Sequence, residues 1–398
     1  MGSSTYELAD VFLRFGKQYN LDHKLTLQQR NAMFAIENCR TEVLGGHIDK
    51  CNCCGHERVF YNSCRNRHCP KCGGLKREIW VEKLAASLLP VNYFHVIVTL
   101  PSELHGLIFY NPKTLYDIFF KSVSQVLLSL AGKKLRALTG MIAVLHTWGQ
   151  NLMQHPHLHI MVPAGGWHLV QHRWVPSSKT FFLSDWQIAH EVKKKFLFLL
   201  KDARKEGQLM YPGDIQFLEQ KKYFEGLLTH LYDIKWKVKT PKPTKNCGHI
   251  IQYLGRYTHR VAISNDRIKR IDQDGVTFSW KDRQDHDRWK IMKVSGEEFI
   301  RRFLLHILPK GFCKIRYFGV FALCNRKRLL ILCRRYFMQQ IVPSKYTALT
   351  WQQALALVCG IHVEQCPVCK EGIMMLSGVI IGKRAPPSFL CLNAEHVL

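Results

Sequence analysis

This chain is short of acid relative to base. Its 398 residues carry 30 Asp+Glu against 57 Lys+Arg, a formal net charge of +27. Such an imbalance repels itself unless an anionic partner is present, which makes nucleic acid the leading partner class and an anionic membrane surface its rival. Long apolar runs are missing too: none approaches the roughly 18–20 residues that a bilayer span needs. Met1 to Asp10 lacks the basic-then-apolar plan of a secretory signal. A cytoplasmic protein without a membrane partner is therefore expected. There is no internal repeat, no low-complexity tail and no H-E-x-x-H helix, so a solenoid and a metalloprotease of that type are disfavoured. What is present is ordinary: 47% hydrophobic and 22% charged residues describe a globular chain that buries a core. At about 100–200 residues per domain, two or three domains are expected.

The deficit of acid is local as well as global. No carboxylate lies between Asp233 and Asp266, where Lys235, Lys237, Lys239, Lys242, Lys245, Arg256 and Arg260 occur. None lies between Glu298 and Glu364, against eleven basic residues that include Arg301, Arg302, Arg316, Arg326, Arg334 and Arg335. A solvated face interleaves both signs, and these windows do not. Aromatics are interleaved instead (Trp236, Tyr317, Phe318, Phe321, Tyr336, Phe337). Some of these belong to the core, but the pattern suits phosphate contacts with bases stacked on rings.

Fifteen cysteines would suit a disulfide scaffold in a small secreted domain, which this is not. Six of them (Cys51, Cys53, Cys54, Cys64, Cys69, Cys72) crowd one segment. Two C-x-x-C pairs, Cys51/Cys54 and Cys69/Cys72, have zinc-knuckle spacing, and four thiolates close a tetrahedron. One structural zinc on these four is expected, holding a module that presents Arg58, Arg65, Arg67 and Lys71 to DNA. His47, Cys53, His56, Cys64 and His68 are left over, enough for a second metal or simply packing residues. Cys366 and Cys369 form a late pair that Cys391 and His396 could complete, or that binds nothing.

Periodicity predicts helices in the first forty residues, at Leu75–Leu89, from about Pro112 to Leu130, at Trp186–Lys205, Phe217–Tyr232, about Asn246–Tyr257, Glu297–Leu308 and Trp351–Cys359. Strands are predicted at Phe94–Leu100, Met141–Trp148, His157–Val162, Val261–Ser264, Arg267–Ile271 and Val276–Trp280, the last entered through an Asp274-Gly275 turn. Lys235–Lys245 reads as a basic connector. Without a regular βαβ repeat, the expectation is an α+β fold with antiparallel pairing.

Two constellations carry chemistry. In His155-Pro-His157-Leu-His159, residues i and i+2 of a strand face one side, so His157 and His159 project together and can share a divalent ion. In Tyr253-Leu-Gly-Arg-Tyr257, positions i and i+4 of a helix stack two phenols within the first acid-free window. A phenol beside a metal-bound phosphate is a competent nucleophile, and two allow successive strand transfers.

This pairing of a His-hydrophobic-His strand with a downstream Tyr-x3-Tyr helix resembles the two-tyrosine HUH endonucleases. The stretches GGHIDKCNCCGH, YNSCRNRHCPKC, LPVNYFHVIVTLP, HTWGQNLMQHPHLHIMVPAGG, YLGRYTHRVAIS and FLLHILPKGFCKIRYFG extend the resemblance along nearly the whole chain to the rolling-circle transposases of bacterial insertion sequences, the IS91 family. The resemblance implies an HUH core, an antiparallel sheet flanked by helices. It implies that Tyr253 and Tyr257 are the nucleophiles, that His157 and His159 are metal ligands, and that single-stranded DNA at transposon ends is cut through 5′-phosphotyrosine links near the bacterial nucleoid. Structural zinc and catalytic magnesium or manganese are the implied cofactors, with no small-molecule substrate. Gln150 is the expected third ligand, with His155 and His249 as alternatives. The expected division is a helical and zinc-binding module at 1–90, the nuclease at 91–295 and a basic, helical C-terminal region at 296–398. Arg65, Arg67, Lys71, Arg256, Arg260 and Arg316 are the expected DNA contacts. A replication initiator or relaxase with the same chemistry, or a zinc-dependent regulator without catalysis, are the alternatives. Acidic-triad transposition is unsupported, since carboxylates are scarce where the basic windows lie.

Overall fold

The computed structural model describes residues 5–178, 183–241, 262–282, 285–339, 345–346 and 348–383. The helix expected at Asn246–Tyr257, with Tyr253 and Tyr257, lies outside them, as do Arg256, Arg260, His249, Cys391 and His396. Helices and antiparallel sheets alternate irregularly, which makes the fold α+β. The described residues group into two units that are discontinuous in sequence. One takes them from Met1–Trp80, His259–Ile307 and Ser344–Leu398, the other from Val81–Thr258 and Leu308–Pro343. This grouping differs from the three consecutive segments expected from the sequence, because strand pairing joins residues more than 300 positions apart.

In the first unit, α1 (Leu8–Asp22) and α2 (Leu27–Glu37) open the chain. Thr26 caps α2 reciprocally with Gln29, the Ser/Thr-x-x-Glu/Gln pattern that satisfies two orphan donors. β1 (Gly46–Cys51) and β2 (Glu57–Tyr61) form a hairpin, followed by α3 (Gly74–Ser87), whose residues from Val81 on group with the second unit.

The second unit holds the main sheet. Its strands are β3 (Tyr93–Thr99), β4 (Gly140–Trp148) and β5 (Gln154–Pro163), followed by the small hairpin β6 (Gly165–His168) and β7 (Arg173–Pro176), and β8 (Lys237–Lys239). The basic connector expected at Lys235–Lys245 thus contributes a strand, pairing Lys237–Lys239 with Ile97–Thr99. The remaining strands in chain order are β9 (Ile268–Ile271), β10 (Val276–Asp282), β11 (Arg288–Val294), β12 (Ile315–Gly319) and β13 (Met374–Ile380). Sheet order in the second unit is β12-β4-β5-β3-β8, every pair antiparallel. In the first unit, β13-β1-β2 and β11-β10-β9 form two three-stranded sheets. No strand forms at 262–264, where the chain instead bends into a short 3-10 turn at Asn265–Arg267.

Alternation decides which face of the main sheet is core. Phe94, Val96, Val98, Met141, Ala143, Leu145, Leu158, Ile160 and Val162 share one face. They pack with Phe119, Val123, Val192, Phe196 and Leu200 from the helices Pro112–Leu135 and Asp185–Lys205. The opposite parity carries His95, His146, His157 and His159. A period of two therefore puts four histidines on the face away from those helices.

Candidate metal centre and cysteine clusters

β4 and β5 pair so that His146 lies across from His157 and Val144 across from His159. Ring centroids are 5.2 Å apart for His146–His157, 4.4 Å for His146–His159 and 4.8 Å for His157–His159. One nitrogen from each of the three lies within 4.8 Å of the others, and all three residues are buried. The sequence expectation named two of these and missed His146. The signal was available: Ile142, Val144 and His146 share a parity, so a histidine ends the face that meets the His-x-His strand. Gln150 sits in the turn between β4 and β5, beyond the end of β4. His155 is exposed, and its carbonyl oxygen accepts from His157 Nδ1 at 2.6 Å.

Hydrogen bonds set the tautomers. The His157 Nδ1–H donation to a carbonyl leaves Nε2 with its lone pair. His159 Nδ1 lies 2.8 Å from His95 Nε2, on the neighbouring strand β3. Burial lowers the His95 pKa to about 4, which keeps that ring neutral and able to accept the proton. In the tautomer where His159 Nδ1–H donates to His95 Nε2, His159 Nε2 keeps its lone pair for a cation. An imidazole ligand oriented through its second nitrogen by an outer partner is the usual arrangement of a metal site. The donor set is all imidazole, a fit for a divalent transition metal and a weaker one for magnesium.

The cysteines do not gather as expected from spacing. The two C-x-x-C pairs belong to different clusters: Cys69/Cys72 meet Cys39 and Cys64, while Cys51/Cys54 meet Cys366 and Cys369. A single site on Cys51, Cys54, Cys69 and Cys72 is thereby corrected. Cys51 ends β1, and the strand carries its knuckle toward β13 rather than toward Cys69. Cys39 follows α2, just outside the dense segment, and belongs to no C-x-x-C pair. In the first cluster the Cys39–Cys72 and Cys64–Cys72 sulfurs are 3.2 and 3.6 Å apart. Hydrogen bonds from Cys39, Cys64 and Cys69 hold the Cys72 thiol far below its ordinary range. Thiolate is the form that binds metal, and these donors favour it at Cys72.

The expected DNA contacts are placed unequally. Arg65 and Arg67 are exposed on the loop that carries the first cluster. Lys71 instead pairs with Glu7 and donates to the Cys39 carbonyl at 3.4 Å, so it braces the cluster. Arg316 pairs with Asp117 and stacks over Phe120 at 4.2 Å, which makes it a packing residue of the second unit. Among the interleaved aromatics, Trp236 and Phe321 are core, whereas Tyr336 is exposed.

Residues 140–328 match a family described as "Putative transposase", and residues 11–100 match one described as "Transposase zinc-binding domain". The chain is 40% identical over 392 residues to "Putative transposase y4qJ" of Sinorhizobium fredii (strain NBRC 101917 / NGR234), spanning 97% of this chain and 98% of that protein. It is 28% identical over 318 residues to "Transposase for insertion sequence element IS801" of Pseudomonas savastanoi pv. phaseolicola, spanning 78% of this chain and 72% of that one. No solved structure matches the chain significantly. The first of the two family matches contains all three clustered histidines. The second contains Cys39 to Cys72 and stops well before Cys366.

Proposed function

The chain belongs to the IS91 family of transposases, and on that premise we propose that it nicks and rejoins single-stranded DNA through 5′-phosphotyrosine links in rolling-circle transposition. The observation that supports this most is the triad His146, His157 and His159 on one face of an antiparallel sheet. These three would hold the catalytic cation, manganese or magnesium. When bound there, a divalent cation neutralises charge that builds on the non-bridging oxygens of the scissile phosphate. His95 keeps His159 turned toward it.

Tyr253 and Tyr257 are the proposed nucleophiles. The phenol oxygen of one forms a bond to phosphorus, the bond from phosphorus to the 3′-side oxygen breaks, and that oxygen leaves as a 3′-hydroxyl, taking up a proton in place of the one the phenol loses. The 5′ end stays on the tyrosine. The second phenol repeats the step on another strand, so neither end is released between cuts. In this reading the 91–295 segment supplies an HUH nuclease, and residues 1–90 and 296–398 supply DNA contacts. Arg65 and Arg67, with Arg256 and Arg260, are the proposed phosphate-binding residues.

The test is incubation with labelled single-stranded DNA and a divalent metal. A metal-dependent adduct that protease digestion removes is expected. Salt-sensitive DNA binding with no adduct under any divalent metal would leave a regulator instead.

Binding itself should depend steeply on salt. Each phosphate neutralised on a single strand contributes about −0.7 to the slope of log affinity against log salt, so four to six contacts give roughly −3 to −4. Filter binding from 50 to 300 mM salt (about the useful range for such slopes) measures it, and an affinity flat across the series refutes a phosphate-driven interface.

Cys39, Cys64, Cys69 and Cys72 are the proposed zinc ligands of the N-terminal domain. Changing Cys69 and Cys72 to serine should remove one tightly held zinc per chain by metal analysis. Zinc content unchanged in that variant would reject the cluster as a site.

A further inference from the structure

The second cysteine cluster joins an early and a late segment of the sequence, and among the described residues little buried apolar material holds the two together. β13 pairs with β1 from Gly46↔Ile380 to Cys51↔Met374. Its outward side chains are bare: Met375, Leu376 and Val379 are all more than half exposed. The buried apolar material at this junction is Cys51, Cys366 and Met374, with Cys369 against them. Three side chains, two of them thiols, are too small a core to dock a strand by the hydrophobic effect. Backbone pairing on an exposed strand does not supply the missing stability, since water competes for the same bonds.

The thiols themselves are arranged for a metal. Cys51 Sγ lies 3.7 Å from Cys369 Sγ, and Cys54 Sγ lies 3.6 Å from Cys366 Sγ. Four sulfurs at about 2.3 Å from a tetrahedral zinc stand about 3.8 Å apart. A disulfide requires about 2.05 Å. Each pair forms a knuckle with amides turned inward: Cys53 N and Cys54 N donate to Cys51 Sγ at 3.4 and 3.5 Å, and Gly372 N donates to Cys369 Sγ at 3.3 Å. Such donors stabilise thiolate charge. Gly372 closes over the cluster, and a Cβ there would lie 2.3 Å from Cys51 Sγ and 2.7 Å from Cys53 Cβ. Asn52 clips the late knuckle from the other side, accepting from Ile373 N at 2.8 Å and donating its own amide to Ile373 O at 3.1 Å.

We propose that Cys51, Cys54, Cys366 and Cys369 form a second, closed zinc centre that clasps the C-terminal strand to the N-terminal hairpin. Its metal takes the place of a hydrophobic core, so the three-stranded sheet β13-β1-β2 is complete only when zinc is bound. With all four positions filled by thiolates it performs no hydrolysis. It makes one folded unit from sequence segments about 315 residues apart, and its loss frees the C-terminal segment while leaving the first cluster in place.

Native thiol alkylation followed by mass mapping tests this on the intact chain. Cys53 and Cys54 are adjacent and both exposed, so they should alkylate at similar rates unless one is ligated. Cys53 is expected to react at once, and Cys54, Cys366 and Cys369 only after a strong chelator is added. Purified protein should hold two zincs, and C366S/C369S should hold one. Hydrogen exchange should show β1 and β13 amides losing protection in that variant or on chelation, by 100-fold or more, while β4 and β5 stay protected. Gly372→Ala, which perturbs the site without removing a ligand, should speed zinc transfer to a colorimetric chelator at least tenfold. Equal alkylation of Cys53 and Cys54 in untreated protein, two zincs retained by C366S/C369S, or a disulfide among the four would each overturn the proposal.

Discussion

With both Tyr253 and Tyr257 changed to phenylalanine, the protein should bind single-stranded DNA as before and form no covalent adduct. The loss in cleavage rate should be on the order of 10⁴-fold or more, the size seen when a nucleophile is deleted from an enzyme that otherwise keeps its site. Phenylalanine keeps the ring and removes only the oxygen, so little packing is lost and affinity should change by less than about threefold. A phenol with a pKa near 10 is about one part in a thousand ionised at neutral pH. It becomes a useful nucleophile only where neighbouring charge favours phenolate as the bond to phosphorus forms. Arg256 and Arg260 lie in the same stretch of sequence and are the proposed source of such charge. Each single variant should still nick and carry one adduct, but should not complete two successive transfers. The readouts are a denaturing gel for adduct and a strand-transfer product for the second step. A covalent adduct persisting in the double variant would place the nucleophile on another residue.

The sequence exposed some of this architecture and hid the rest for definite reasons. Periodic apolar spacing located long helices such as Pro112–Leu135 and Asp185–Lys205, and β-branched runs located β3, β4 and β5. These are local signals, carried by a few consecutive residues. The cysteine clusters are not local. Spacing put Cys51 with Cys54 and Cys69 with Cys72, and each pair does stay together in one cluster, but a pair does not name its partner. The partner depends on which strands pair, and β1 pairing with β13 is fixed by residues more than 300 positions away. Cys39 was hidden for a related reason, since it follows a helix instead of sitting in a C-x-x-C motif. Lys71 and Arg316 show the same limit for charge. Both read as contacts for phosphate, and both find a carboxylate, Glu7 and Asp117, that lies far off in sequence. His146 was within reach, because strand parity alone puts it on the face of His157 and His159 once β4 and β5 are neighbours.

Metal affinity should separate the two assignments of the third ligand. His146→Ala is expected to weaken manganese binding by more than 100-fold, and Gln150→Ala by less than about threefold. The reason is register: His146 lies across from His157 and its ring is 4.4 Å from that of His159, whereas Gln150 belongs to the turn beyond the strand. The described cluster holds three imidazoles and no carboxylate, so losing His146 removes one of its three donors. His95→Ala should fall between, since loss of an outer partner typically costs 10–100-fold in affinity. Without the 2.8 Å contact to His95, the His159 ring is free to take the other tautomer or to rotate, and the cost is one of orientation. Glutamine at position 95 offers an amide oxygen to His159 Nδ1–H, so His95→Gln should recover part of what alanine loses. Titration by manganese electron paramagnetic resonance reads these affinities without reference to cleavage, and adduct formation at saturating metal then shows whether the loss is confined to binding. If Gln150→Ala empties the site while His146→Ala leaves it filled, the turn supplies the ligand and His146 is a core histidine.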